Sequence, residues 1–226
     1  MPTILCVMPH PDDESFGPAG TIAKYAARGV PVDLLVFTRG QVGVRHEPID
    51  SPEKLGLVRE YEQKAAAKVL GIRTLTFLDY MDGELENADL EELSGHVQQA
   101  IERSAADAII TVGPYGLTRH PDHTTVHKAA AHAVERSTRP VRLFYIAVEG
   151  DWAKQMNLDG PETQPTHRIE MADFFETKLM ALACHTSQQD AREFFLMLSH
   201  LKQREELFHQ AVPPFEGESP KDDLFA

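Results

Sequence analysis

The sequence is poor in cysteine and has no long hydrophobic run. Only two of its 226 residues are cysteines, Cys6 and Cys184, too few for the disulfide framework of a small secreted domain. No apolar stretch reaches the roughly 18 residues of a transmembrane helix, which predicts no membrane span. The first residues lack the basic region and apolar run of a signal peptide, so a reducing cytoplasm is the expected compartment.

Positive charge is also scarce. Lys and Arg total 22 against 35 for Asp and Glu, which gives a formal net charge of −13. A nucleic-acid-binding face needs a basic footprint, so we expect no nucleic-acid partner. The Gly-x-Gly-x-x-Gly pattern of dinucleotide-binding domains does not follow the first predicted strand, which argues against a module of that kind.

The sequence does contain an alternation of short apolar runs and helical segments. The strand-like runs lie at residues 3–8, 32–37, 74–78, 108–112 and 141–148. They are nearly continuously apolar, as strands buried on both faces must be. This order predicts an α/β fold with a Rossmann-like, mainly parallel sheet and helices on both faces.

Beyond residue 148 the pattern weakens. Residues 149–165 are expected to form a loop, and residues 191–209 to form a helix. Residues 211–226 contain three Pro, four acidic residues and one Lys, which predicts a loose acidic tail or a strap over a neighbouring subunit. No sharp change in composition divides the chain, so we expect a single domain over residues 1–226.

The strongest motif is Pro9-His10-Pro11-Asp12-Asp13-Glu14, directly after the first predicted strand. Ligand sites of open parallel sheets lie outside the carboxyl ends of the strands. So many acids beside an imidazole are costly unless they are paired, solvated or neutralised by a cation. His and Asp are ordinary zinc ligands. The alternative is a solvated acidic loop before the next helix.

A second motif, His120-Pro121-Asp122-His123, follows the fourth predicted strand and begins a helix. Pro121 suits the first helical position and places His120 near the cap and His123 in the first turn. Both imidazoles can then face the same edge of the sheet. The alternatives are two surface histidines, or a metal pair formed by His123 and His127 at i,i+4 spacing.

Together the two motifs supply His, Asp and His from two strand ends at one edge of the sheet. Three protein ligands with an open fourth position is the arrangement of catalytic zinc sites. One acid and one histidine remain for proton transfer. The residues therefore predict metal-assisted hydrolysis, in which zinc activates water and polarises a carbonyl.

The chain also resembles a known family, the LmbE-like or PIG-L zinc-dependent de-N-acetylases, over about residues 3–190. The two motifs carry most of the resemblance. Further matching segments are Gly20 to Ala23, Arg59-x-x-Glu62 leading to Leu70-Gly71, Lys178 with Ala181, and His185-Thr186-Ser187-Gln188.

The resemblance implies a role for each matching residue. His10, Asp13 and His123 would hold the metal, which would be Zn²⁺ or another divalent ion such as Fe²⁺. Asp12 would be the general base. His120, oriented by Asp122, would stabilise the oxyanion and protonate the leaving amine. Arg59 would bind substrate, and Glu14 would either support a ligand or begin a helix.

The function implied is removal of the N-acetyl group from an N-acetylglucosamine-type sugar or conjugate, a small-molecule partner, by a homo-oligomeric enzyme. Two alternatives stay open at this point. The same metal site could hydrolyse another amide or ester bond, or the chain could be a non-catalytic sugar- or nucleotide-binding module. Arg39 and Arg119, near the motifs, are consistent with a phosphate- or carboxylate-bearing substrate.

Overall fold

A computed structural model describes residues 1–44, 49–201 and 204–226. These residues form one sheet with helices on both faces. The strands are β1 (Ile4–Met8), β2 (Val32–Thr38), β3 (Thr74–Tyr80), β4 (Ala108–Thr111), β5 (Arg142–Ala147), β6 (His167–Glu170) and β7 (Glu205–Val212). The α-helices are α1 (Asp13–Phe16), α2 (Ala19–Ala27), α3 (Pro52–Leu70), α4 (Leu90–Ser104), α5 (Pro121–Glu135), α6 (Gly150–Gln155), α7 (Phe175–Ala183) and α8 (Gln189–Leu201).

The sheet has the strand order β3-β2-β1-β4-β5-β7-β6. The first five strands pair in parallel, with Cys6 of β1 opposite Leu34 of β2 and Ile110 of β4. The last two strands are antiparallel additions, since β7 runs against both β5 and β6. The predicted α/β class and mainly parallel sheet are confirmed.

The core forms two layers because successive strand residues point to opposite faces. Cys6 lies in the layer that includes residues of α2, α3 and α7. Its neighbours Leu5 and Val7 lie in the other layer, with residues of α4 and α5. Every residue of β1 is buried, so this strand forms a rigid support for the motif that follows it.

The long helix α3 has clear start and stop signals. The Ser51 hydroxyl accepts a hydrogen bond from the Lys54 amide at 3.3 Å, and Pro52 occupies the first turn. Gly71 ends the helix with φ +75°, a left-handed conformation that glycine adopts without steric cost. The helix presents Arg59 and Glu62 toward the interior of the protein.

The chain beyond residue 148 differs from the sequence-based expectation. The expected loop at 149–165 contains α6. The expected helix at 191–209 ends at Leu201, and Glu205–Val212 is strand β7; residues 202 and 203 lie outside the described part. Burial alternates along β7, and pairing with β5 and β6 overrides the helix propensity of its Glu and Leu residues.

Residues 211–226 are also not a loose tail. Ala211 and Val212 complete β7, and Leu224 is fully buried. The amide of Leu224 donates to the Tyr25 hydroxyl at 2.7 Å, and Arg142 Nη1 donates to the Leu224 carbonyl at 2.8 Å. The acidic composition suggested solvation, but these contacts fasten the segment to its own chain. In the described ranges, no helix combines the length and apolar character needed to cross a membrane.

Candidate metal and catalytic site

The two sequence motifs meet at the carboxyl edge of the parallel sheet. Asp12 separates β1 from α1 and has φ +89°, a left-handed backbone that is strained for a non-glycine residue. Its amide donates to Gln63 Oε1 at 2.9 Å, which fixes the turn. The adjacent carboxylates of Asp12 and Asp13 therefore contact different partners.

His10 is held by two carboxylates. Its Nε2 lies 3.0 Å from Asp82 Oδ1 and 3.0 Å from Asp122 Oδ2. Because carboxylates accept hydrogen bonds, Nε2 must carry a proton. The opposite nitrogen, Nδ1, lies 3.6 Å from Asp13 Oδ2. It is the nitrogen that His10 can offer to a metal ion.

His123 is oriented in the complementary way. Its Nδ1 lies 2.9 Å from the Gly116 carbonyl oxygen and therefore donates. Its Nε2 lies 3.4 Å from Asp13 Oδ1 and 3.3 Å from His10 Nδ1. Gly116 has φ +60°, and a Cβ there would come within 2.5 Å of the His123 Cβ, so only glycine fits at this position.

The residues His10, Asp13 and His123 fit a zinc ion. A tetrahedral ion with bonds of about 2.0–2.1 Å holds its ligand atoms about 3.3–3.4 Å apart. His10 Nδ1 lies 3.3 Å from His123 Nε2; Asp13 Oδ2 lies 3.6 Å from the former nitrogen, and Asp13 Oδ1 lies 3.4 Å from the latter. The free ring nitrogens converge, and hydrogen bonds fix the opposite ring nitrogens, as is usual for metal-ligating histidines.

His120 lies beside this cluster. Nitrogens of His10, His120 and His123 all lie within 4.8 Å of one another. His120 Nδ1 accepts a hydrogen bond from the Asp122 amide at 3.2 Å, so its Nε2 carries the proton in the neutral ring. His127 lies elsewhere, with Nδ1 3.2 Å from the Val112 carbonyl oxygen and its ring against Tyr145.

The carboxylate of Asp122 was expected to orient His120, but the structure places it on His10. Its Oδ2 also accepts from the Gly83 amide at 2.7 Å, and its Oδ1 accepts from the Leu85 amide at 3.1 Å. The reason is that Asp122 follows Pro121 in the first turn of α5 and is fully buried there. It therefore links α5 to the loop after β3.

Asp82 is a site residue that the sequence analysis missed. It lies in that same loop, is 5% exposed, and accepts a hydrogen bond from the Val42 amide at 3.0 Å. One signal was available, because Asp82-Gly83 follows the third parallel strand and must lie at the same sheet edge as the two motifs.

Asp12 and Arg59 form a buried ion pair. Arg59 Nη2 donates to Asp12 Oδ2 at 2.9 Å and to the Pro11 carbonyl at 2.6 Å, and Nη1 donates to the Gly40 carbonyl at 3.0 Å. Arg59 is only 4% exposed. It lines the cavity, but these contacts direct its guanidinium to protein groups around Asp12.

Glu62, the acid of the Arg-x-x-Glu segment, binds the loop between α7 and α8. Glu62 accepts hydrogen bonds from the Thr186 hydroxyl at 2.8 Å and from the Ser187 amide and hydroxyl at 2.7 Å each. Glu14 is fully buried, and its Oε1 accepts from Gln63 Nε2 at 2.8 Å. Burial raises the pKa of Glu14 to about 7, against the opposing hydrogen bonds.

The electrostatics of the site follow from burial and these contacts. Burial opposes the charged form of His10, but hydrogen bonds to Asp122 and Asp82 raise its pKa to about 10. The pKa values of Asp122 and Asp82 lie below their usual value. Burial acts to raise them, but the contacts with His10 and with backbone amides lower them by more. Burial lowers the pKa of His123. Burial also raises the pKa of Asp12, and the positive charge of Arg59 opposes that rise. A metal ion must therefore displace the Nδ1 proton of His10.

A cavity of about 1050 Å³ opens onto the cluster and includes His10, Asp12, Asp13, His120 and His123 in its wall. The two arginines considered for an anionic substrate are occupied elsewhere. Arg39 pairs with Glu60 and Asp79. Arg119 stacks on Tyr115 and donates to the Asn157 carbonyl at 2.6 Å.

The fold and site define a class: α/β proteins with a His-Asp-His cluster at the carboxyl edge of a parallel sheet. A family model described as "PIG-L: GlcNAc-PI de-N-acetylase" matches residues 5–134. The chain belongs to this family, which confirms the expected relationship.

Two sequence relatives illustrate the similarity. The chain is 34% identical over 187 residues to a probable N-acetyl-alpha-D-glucosaminyl L-malate deacetylase 2 of Bacillus anthracis, covering 82% of this chain and 80% of the relative. It is 28% identical over 225 residues to a 1D-myo-inositol 2-acetamido-2-deoxy-alpha-D-glucopyranoside deacetylase of Mycobacteroides abscessus, covering 82% and 81%.

Solved structures show the same fold. The N,N'-diacetylchitobiose deacetylase of Pyrococcus horikoshii superposes with TM-score 0.76 at 21% identity, over 96% of this chain and 86% of that one. GalB of Pseudomonas putida KT2440, a 4-carboxy-2-hydroxymuconate hydratase, superposes with TM-score 0.75 at 17% identity, over 96% of this chain and 99% of that one. A deacetylase and a hydratase share this fold, so the reaction must be argued from the site.

Proposed function

We propose that this protein is a zinc-dependent hydrolase that removes the N-acetyl group from an N-acetylglucosamine-type sugar or conjugate, releasing acetate and the free amine. The observation that carries the proposal is the convergence of His10 Nδ1, Asp13 and His123 Nε2 at 3.3–3.6 Å. The named activities of the sequence relatives support the substrate class.

His10, Asp13 and His123 would hold the ion. A bound zinc ion supplies a Lewis acid for the amide carbonyl and lowers the pKa of water toward about 7. Each ligand is already oriented: His10 by Asp82 and Asp122, His123 by the Gly116 carbonyl, and Asp13 by the His10 amide, which donates to its Oδ2 at 2.8 Å. Fe²⁺ is a second candidate for the same ligands.

Asp12 is the proposed general base. It lies in the chain between the proposed ligands His10 and Asp13, lines the cavity, and can accept a proton from the attacking water. Arg59 is proposed to act through Asp12 as a positioning residue, since its guanidinium holds one oxygen of that carboxylate. The direct substrate contact expected for Arg59 from the sequence stays a prediction, since Arg59 also lines the cavity.

His120 is the proposed donor to the substrate. The Asp122 amide occupies its Nδ1, which leaves Nε2–H to donate to the carbonyl oxygen as negative charge develops there. As the C–N bond breaks, the proton that Asp12 took from the water would pass to the leaving nitrogen, while His120 keeps its Nε2 proton and remains a neutral hydrogen-bond donor. Asp122 would set the position of His120 through its backbone and that of His10 through its carboxylate.

The experiment that tests the proposal is acetate release from methyl 2-acetamido-2-deoxy-glucopyranoside by zinc-loaded protein, beside an Asp12→Asn variant. We expect the variant to retain zinc and to lose about 10²–10⁴-fold in kcat. Asp151→Asn is the control, because Asp151 is an exposed acid on α6 and its loss should leave the rate unchanged.

The other two functions give different results in the same assay. A hydrolase of another bond would hold zinc and release no acetate, while acting on other amides or esters in a substrate panel. A binding module would hold the sugar without converting any substrate in the panel. Full activity of Asp12→Asn with its metal bound would contradict the proposed mechanism.

A further inference from the structure

The cavity extends beyond the metal cluster along an aromatic wall. The ring of Phe16 lies 5.0 Å from that of Phe194, which lies 6.5 Å from the ring of Trp152. Met156 and Leu198 line the same cavity. These five residues form what we call the apolar arm, built from α1, α6 and α8 and the residue that follows α6.

The apolar arm begins beside the proposed ligands. Asp13 and Phe16 are the first and last residues of the single-turn helix α1. Both residues line the cavity, so the arm and the proposed ligands share one binding space. Half-exposed Trp152 leaves apolar surface available for a bound group to cover.

The charges of the cavity wall disfavour an anionic group in the arm. Among the described residues away from the metal cluster, carboxylates in the wall outnumber cations. They are Glu149, Glu170, Asp190, Glu205 and Glu206, against Arg168, Lys178 and Arg204. Ion pairs join Lys178 to Glu206 and Arg168 to Glu149 and Glu205, and this pairing leaves the overall excess of acids in the wall unchanged.

Resting on the proposed function, we propose that the substrate carries an uncharged apolar aglycone, an alkyl or aryl group, and that the apolar arm binds it. A dianionic aglycone such as malate would meet a wall with excess negative charge and would leave the apolar surface of the arm uncovered. The acetyl group is small and stays at the metal cluster.

Trp152 is the only tryptophan of the chain, so its fluorescence reports directly on the arm. The metal-loaded protein is titrated with hexyl β-D-glucopyranoside and, as control, methyl β-D-glucopyranoside. Neither compound has an acetamide, so binding is read without deacetylation. We expect the hexyl compound to shift the emission and to bind at least about tenfold more tightly, since it buries several more methylenes.

The activity measurement compares hexyl and methyl 2-acetamido-2-deoxy-glucopyranosides. We expect kcat/KM to favour the hexyl compound by about tenfold or more, and Phe194→Ala or Trp152→Ala to remove most of that preference while the methyl compound is still hydrolysed. Leu196→Ala is the matched control, because Leu196 lies on the same helix as Phe194 and is 51% exposed.

The outcomes separate the two proposals. A fluorescence response to the hexyl compound without any acetate release supports the apolar arm and contradicts the proposed function. Acetate release with no hexyl preference and no emission change overturns the arm. A preference for a malate aglycone, or a Trp152-dependent gain with an N-hexanoyl group in place of the hexyl aglycone, also overturns it.

Discussion

His10 Nδ1 faces His123 Nε2 at 3.3 Å, and each ring uses its other nitrogen as a hydrogen-bond donor. Only an electrophile can lie between two such nitrogens: a proton shared by the rings or a metal ion. Asp13 approaches both nitrogens from a third side, at 3.6 and 3.4 Å. A carboxylate added to two imidazoles favours a divalent cation over the shared proton.

The first prediction concerns metal content. Gently purified protein should contain about one divalent ion per chain, and His123→Ala should lose it, because two ligands cannot retain the ion as three do. Elemental analysis provides the measurement. His127→Ala is the matched control on the same helix, since its ring contacts the Val112 carbonyl and Tyr145 instead.

If neither the wild-type protein nor the His127→Ala variant holds metal after zinc is supplied, the catalytic proposal fails at its first step. Retention of metal by His123→Ala would instead move the ligand set to other residues. His120 would then be the next candidate, because its ring lies within the same group of nitrogens.

The second prediction separates the two roles considered for Asp122. Asp122→Asn should weaken zinc binding by about 10–100-fold, because a carboxylate that orients a ligating histidine also raises its basicity. Competition with a chelator gives the affinity. Unchanged zinc affinity combined with a large fall in kcat would show that Asp122 acts through His120, as the sequence suggested, and not through His10.

The two motifs could be placed from the sequence because every parallel strand repeats the same local pattern, an apolar run followed by a loop. Each chemical motif follows a nearly continuous apolar run, and the carboxyl ends of parallel strands share one edge. His10 and His123 could therefore be expected to meet across more than a hundred residues. The hydrogen-bond partner of each ring could not be predicted, because loop geometry decides which of several acids reaches which nitrogen.

The segments whose secondary structure was predicted wrongly depend on tertiary contacts that a local sequence pattern does not show. β7 contains Glu205, Glu206 and Leu207, which are good helix formers in isolation. Glu206 is nevertheless buried in a strand, where it accepts hydrogen bonds from the Gly20 and Thr21 amides at 2.9 and 2.7 Å. Those partners are some 185 residues away.

The third prediction concerns the buried ion pair at that strand. Lys178 Nζ lies 2.7 Å from Glu206 Oε1 and 2.6 Å from the Gly17 carbonyl, and both side chains are almost fully buried. Lys178→Met leaves the carboxylate of Glu206 without its counter-charge. We expect it to lower the free energy of unfolding by about 3–5 kcal/mol, measured by urea denaturation.

Lys154→Met is the control for this prediction, because it makes the same substitution in the exposed pair with Asp151. Exposed pairs contribute about 0–1 kcal/mol, so this variant should unfold almost as the wild type does. Equal effects of the two substitutions would mean that the buried pair adds nothing beyond surface electrostatics.

The last prediction concerns acid sensitivity. His167 is fully buried, with its ring against Phe144 and Phe215, and its Nε2 has no hydrogen-bond partner among the described residues. Burial, with smaller contributions from Arg142 and Lys221, lowers its pKa to about 4. The unfolded chain, with an ordinary pKa near 6.5, binds the proton more readily. Stability from this residue is therefore present above about pH 6.5 and is lost as the pH falls toward 4. At pH 5 the linkage amounts to about 2 kcal/mol.

His167→Phe keeps an aromatic ring in the same packing and removes the titration. In EDTA, its free energy of unfolding should thus fall less between pH 7 and pH 5 than that of the wild type, by about 2 kcal/mol, whereas exposed His200→Gln should follow the wild type. Parallel pH profiles of His167→Phe and the wild type would show that His167 is protonated in the folded protein as readily as in the unfolded chain.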